Sequence, residues 1–122
     1  MVEAQTNTVE RESQTEMTGH IYKVPNVTVD AIVTRAKAAG GHEILLITRG
    51  RPPFVGMYAF PGGFVDYGED PKTACIRELQ EECSVEGHTP ELITVAGKPE
   101  RDPRKHIISI VYALEIDAQA NV

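Results

Sequence analysis

The chain has 122 residues, 41% hydrophobic and 25% charged, a size and balance suited to one soluble globular domain. No apolar run approaches the ~20 residues needed to span a bilayer. The formal net charge of −6 argues against a long nucleic-acid partner, whose phosphates an acidic surface repels, but leaves room for a small anionic ligand where arginines or a bound cation reverse the local field.

The N-terminus shows no basic segment followed by an apolar stretch, so a secretory leader is not expected and the cytosol is the default compartment. Residues 1–18 contain Glu3, Glu10, Glu12 and Glu16, many Thr and Gln, and no aromatic side chain. Such a stretch cannot bury enough apolar surface to offset chain entropy, and it reads as a disordered acidic tail ahead of a domain over residues 19–122.

Residues 26–35 are rich in β-branched side chains and predict a strand. Gly40-Gly41 marks a turn, and residues 43–49 (EILLITR) predict a second strand, apolar enough for burial on both faces, which closes a hairpin with the first. Residues 50–56 form a loop constrained by Pro52 and Pro53, residues 58–60 a short strand stopped by Pro61-Gly62-Gly63, and residues 64–69 an extended, looping segment. Asp70 is a good N-cap and Pro71 suits the first helical position, so a helix is predicted over residues 71–83. Residues 91–98 and 107–116 predict two further strands, separated by a polar loop over residues 99–106. Strands, helix, strands in that order predict an α+β domain with a mixed sheet.

The two cysteines, Cys75 and Cys83, fall in the predicted helix, ~12 Å apart along its axis. That is too far for a disulfide, and both read as small buried apolar residues. On a helical wheel Cys75, Ile76, Leu79 and Cys83 form the stripe that faces a sheet, while Glu78, Glu81 and Glu82 gather on another side with Arg77 at their border. An isolated group of this kind is usually a solvated helix face. Here Gly62-Gly63, where bare backbone can approach a metal or phosphate, precede the helix. Together they point to hard oxygen ligands for Mg²⁺, with Mn²⁺ as an alternative. Glu69 can join Arg77 in bracing the cluster.

The segment resembles the Nudix box, G-x5-E-x7-R-E-U-x-E-E-x-G-U with U a bulky aliphatic residue. It reads here as Gly63, Glu69, Arg77-Glu78-Leu79-Gln80-Glu81-Glu82, then Cys83-Ser84-Val85. Every charged position matches; Ser84 stands where the family has a glycine that ends the helix at φ > 0. Residues 51–64, and Arg101-Asp102-Pro103-Arg104 with His106, resemble the ADP-ribose-pyrophosphatase-like branch. The likeness runs over residues 27–116.

This resemblance implies an α/β/α sandwich on a mixed sheet, with Glu78, Glu81, Glu82 and the carbonyl of Gly62 as metal ligands and Arg77 orienting the glutamates. It implies hydrolysis of the diphosphate in a nucleoside diphosphate linked to another moiety, ADP-ribose being favoured, with catalytic roles for Glu78, Glu82 and Arg77 and Glu78 as the candidate base. Arg49, Arg51, Arg101 and Arg104 are candidates for the substrate's phosphates or ribose, since guanidinium forks suit phosphate. His106 is equally suited to the site's border or to a structural role. Tyr58, Phe60 and Phe64 are expected in the core. The family pattern continues with a further strand and helix that this chain does not carry, so an exposed apolar sheet face is expected, which a homodimer would cover. A non-catalytic ligand sensor is the alternative reading; it fits less well because all three box glutamates are present.

Overall fold

The computed structural model describes residues 23–122; the predicted acidic tail lies outside them. Strand β1 (Asn26–Ala36) is the spine of the fold. Its partners are β2 (His42–Ile44), β5 (Gly62–Phe64) and β7 (Ile107–Ile116), and β7 pairs in turn with β6 (Gly87–Ala96). The β1–β7 pair is parallel and the other pairs are antiparallel, so the sheet is mixed, as expected. A separate ribbon joins β3 (Ile47–Thr48) to β4 (Tyr58–Ala59).

Helix α1 spans Pro71–Cys83, the predicted bounds. Asp70 caps it by accepting from the Lys72 N–H at 2.8 Å. Ser84 ends it in the left-handed region at φ 56°, and its N–H closes onto the Gln80 carbonyl. The helix packs Ala74, Cys75 and Leu79 against Val29, Ala31 and Val33 of β1 and Tyr112 and Leu114 of β7, with Val85 completing the core. Residues of one parity on β1 thus face the helix, and by the two-residue alternation of a strand Thr28 and Asp30 face the other way. Among the described residues α1 is the only α-helix, so the helical layer seen covers one face.

Three expectations need correction. The EILLITR run does not form one doubly buried strand: it breaks into β2 and β3, β2 is exposed throughout, and Leu46 is exposed as well. Gly62-Gly63, read as the stop after a short strand, themselves lie in strand β5, paired with Asp30 and Val29 of β1. Of the three aromatics expected in the core only Phe64 is buried; Tyr58 is 75% exposed and Phe60 lies at the surface. Cys75 is buried and Cys83 half-buried, both as free thiols. Leu92, Ile93 and Val95 of β6 are exposed apolar residues. Among the described residues no helix is long and apolar enough to cross a membrane.

Candidate active site

Beside β1, β5 brings bare backbone next to the carboxylates of α1. The ladder bonds to β1 use Pro61 and Val65: Ala31 N–H donates to the Pro61 carbonyl, and Val65 N–H donates to the Val27 carbonyl. Backbone polar groups alternate in an antiparallel pair, so those of Gly62 point away from β1. The Gly62 N–H donates to Glu82 Oε1 at 2.8 Å. One residue along, a Cβ on Gly63 would lie 2.5 Å from the Glu78 carboxyl carbon. Glycine is needed there for space rather than for an unusual φ: the Glu78 carboxylate occupies the volume a side chain would take.

Arg77 organises the acidic groups. Its Nε and one terminal nitrogen form a two-pronged bond to Glu69 at 2.8 and 3.0 Å. Its other terminal nitrogen reaches Glu78 Oε2 at 3.1 Å and Glu81 Oε1 at 3.2 Å, and the Phe64 carbonyl accepts a further bond at 3.1 Å. The planar fork can serve these partners at once, where the point charge of a lysine cannot. The bonds from Arg77 hold the Glu69 carboxyl below the usual range.

Glu78 is 1% exposed, and burial pushes its carboxyl up to about 7 against the pull of Arg77. Its Oε1 is buried with no hydrogen-bond partner among the described residues. Burial likewise raises Glu82, with the Gly62 N–H pulling the other way. The three helix glutamates do not converge: Glu78 and Glu81 are drawn to Arg77, and Glu82 to Gly62. Accordingly, among the described residues no three His, Cys, Asp or Glu side chains form a ready-made metal cage.

An open cleft of about 850 Å³ runs from Gly62, Gly63, Glu81 and Glu82 across Thr28 and Asp30 to Arg101, Asp102 and Arg104. That volume is within the usual range for a site that takes a small organic ligand. All four arginines singled out in the sequence line it. Arg49, however, is committed to its own loop, donating from Nε to the Pro53 carbonyl at 2.6 Å. Arg104 is held by Asp102 at 3.0 Å. His106 bonds through Nε2 to the Gly97 carbonyl at 2.9 Å and so ties the loop to the end of β6.

Asp30 and Ser109 were not among the sequence candidates. Ser109 Oγ donates a short hydrogen bond to Asp30 Oδ2. Burial raises the Asp30 carboxyl, opposed first by that bond and then by the charge of Arg101. A signal was available: the one acidic residue of a β-branched strand, on the parity opposite Val29, Ala31 and Val33.

The model of the NUDIX domain matches residues 24–122. The chain is 42% identical over 96 residues to the ADP-ribose pyrophosphatase of Methanocaldococcus jannaschii, covering 79% of this chain and 54% of that protein. It is 34% identical over 101 residues to an ADPR responsive transcriptional repressor, NtrR, of Acinetobacter baylyi, covering 81% of this chain and 40% of the repressor. It therefore spans about half the length of the curated relatives it matches, or less. Among solved structures, the NUDIX domain of Shewanella oneidensis NrtR complexed with ADP ribose superposes with a TM-score of 0.74 at 29% identity, over 81% of this chain and 65% of that one. With the fold, the helix glutamates and the glycine strand in place, the chain belongs to the NUDIX domain family.

Proposed function

We propose that this chain is a cation-dependent pyrophosphohydrolase that cuts the diphosphate of a nucleoside diphosphate linked to another moiety, with ADP-ribose the favoured substrate and the cytosol its compartment. The observation that carries this reading is the meeting of α1 carboxylates with the bare backbone of β5 at one end of a cleft whose other end is cationic. The likeness to an ADP-ribose pyrophosphatase and to an ADP-ribose-bound NUDIX domain supports the choice of substrate.

The residues present fit a divalent cation. Glu78 Oε1 is a buried carboxylate oxygen with no partner among the described residues, a costly state that a hard cation relieves. In this reading Glu78, Glu81, Glu82 and the Gly62 carbonyl hold Mg²⁺, or Mn²⁺ in its place. The lack of a closed three-carboxylate cage is compatible with this, because Mg²⁺ keeps several waters and commonly takes one or two carboxylates together with substrate phosphate. Bound there, the cation supplies charge neutralisation of the diphosphate and activation of water.

The protein's own groups do the rest. Arg77 holds Glu78 and Glu81 in position. Glu78 is the proton acceptor in this scheme. Arg101 and Arg104 take the distal phosphate or ribose, with Arg51 at the rim. Arg49 acts by shaping the loop, since its guanidinium is spent on backbone carbonyls.

A Mg²⁺-dependent hydrolysis screen over ADP-ribose, dinucleotides and nucleoside triphosphates tests the reading. Turnover of a diphosphate-linked substrate, with kcat reduced by at least ~10²-fold in Glu82→Gln, is the expected result. Tight binding of one compound with turnover of none would instead support a ligand sensor, the reading favoured by the likeness to the A. baylyi repressor.

A further inference from the structure

The polar pair Asp30–Ser109 lies outside the helix motif, yet it borders the same corner of the cleft. Resting on the proposed cation-dependent reading, the geometry points to Asp30 as an additional carboxylate of the cation site, one that shares the ion with Glu82 across Gly62 and is held in place by Ser109.

Position is the first argument. A Cβ on Gly62 would lie 2.8 Å from Asp30 Oδ1, and the N–H of the same glycine donates to Glu82 Oε1 at 2.8 Å. A residue's N and Cβ are ~2.5 Å apart, so the two carboxylate oxygens are at most about 8 Å from each other. A cation that keeps part of its water shell bridges such a span. Both carboxylates line the cleft there.

The hydrogen bonding of the pair is the second argument. Ser109 is 1% exposed and donates to Oδ2 of Asp30, which leaves Oδ1, the oxygen on the Gly62 side, to act as acceptor. Carboxylates that bind metals are commonly steadied in this way by an outer hydrogen-bond donor. Neither residue is explained by the core, since Asp30 is on the face of β1 opposite Val29, Ala31 and Val33.

Charge is the third. Asp30 stands close enough to Glu82 to disfavour its ionised form, and the cation whose charge acts on Asp30 is Arg101, a residue of the loop at the far end of the cleft. A phosphate cannot rest against this pair unaided. A cation between the two turns the repulsion into attraction for a diphosphate, and the neighbouring Glu78 Oε1, buried and unpartnered behind Gly63, adds to the local demand for positive charge.

The test is a titration of the full chain with Mn²⁺ alone, free ion being read by electron paramagnetic resonance, with no nucleotide present. Asp30→Asn is expected to weaken Mn²⁺ binding on the order of 10- to 100-fold, and Ser109→Ala by about 10-fold. Glu91→Gln, which removes an exposed charge on β6, should leave it unchanged. The effects of Asp30→Asn and Glu82→Gln should be less than additive when combined, because both act on one ion. Wild-type Mn²⁺ affinity in a folded Asp30→Asn variant, with affinity lost in Glu82→Gln, overturns the role of Asp30 and leaves the cation site standing. Unchanged affinity in Glu82→Gln sinks the underlying site itself. If Asp30→Asn does not fold, as judged by circular dichroism, Ser109→Ala decides the matter: unchanged affinity there counts against the proposal.

Discussion

Gly63→Ala tests the idea that β5 is bare because a helix carboxylate fills its side-chain space. The added methyl would lie 2.5 Å from both the Glu78 carboxyl carbon and Oε2. Ordinary contact begins near 3.4 Å, so the carboxylate must retreat by about 1 Å, at an overpacking cost of ~1–3 kcal/mol. It has little room to do so, being 1% exposed and bonded to Arg77 at 3.1 Å. Losing that charge-assisted bond adds ~1.5–3 kcal/mol. Taken at the low end of the two ranges, a total near 3 kcal/mol corresponds to a fall in Tm of roughly 10–20 °C for a domain of this size. The assay is thermal unfolding by circular dichroism, completed as a double-mutant cycle. In a Glu78→Ala background the new methyl has space, and its cost should drop below ~1 kcal/mol, a coupling of ~2 kcal/mol. A Gly63→Ala protein that melts like wild type, or one equally destabilised in both backgrounds, refutes the reasoning.

Arg77→Lys should lower stability in urea by about 2 kcal/mol, because an ammonium cannot reproduce bonds to Glu69, Glu78, Glu81 and the Phe64 carbonyl at once. Ser84→Gly should raise stability by ~0.5–1 kcal/mol, since serine at φ 56° is in a left-handed conformation that glycine adopts without penalty. Metal-stripped protein should lose stability as pH rises from about 4.5 to about 7. Glu78 binds its proton more tightly folded than unfolded, so its contribution is full below the unfolded value and vanishes through the folded one. Urea unfolding in EDTA should show a loss of about 3 kcal/mol from Glu78 over that window, and a correspondingly smaller total loss in Glu78→Gln, where only the other raised carboxyls remain.

What could be read from the chain was what neighbouring residues decide. Asp70 and Pro71 start the helix, so its first bound and its glutamate face were legible without tertiary contacts; Ser84, standing where the family has glycine, marked its end less sharply. Strands β1 and β7 announced themselves by β-branched composition. The EILLITR run misled because apolar content signals burial without saying which layer supplies the cover. Here the chain leaves the edge of the sheet after Ile44 to build the β3–β4 ribbon. The glycine pair was legible as important, but not as strand, because the volume it yields is filled by Glu78, a residue of another element. Asp30 and Ser109 meet only through the parallel pairing of β1 with β7, whose register no local pattern encodes.

The helix carboxylates divide into two kinds, and the division separates stability from ligand binding. Glu78 and Glu81 answer to Arg77, whereas among the described residues no bond joins Glu82 to Arg77, and its Oε1 accepts from the Gly62 N–H. Burial raises Glu82, so its ionised form at neutral pH is a cost to the unliganded fold. A glutamine there removes the charge and keeps an oxygen to accept from Gly62. Glu82→Gln should therefore leave metal-free stability within ~0.5 kcal/mol of wild type, or raise it, while Mn²⁺ binding and turnover fall, as expected where a site is maintained at the expense of stability. Paired melting curves with and without Mn²⁺ give the answer: the ion should raise the Tm of wild type and not of the variant. A metal-free Glu82→Gln protein as unstable as Arg77→Lys would show that Glu82 belongs to the scaffold, and that the cleft's carboxylates are not divided in this way.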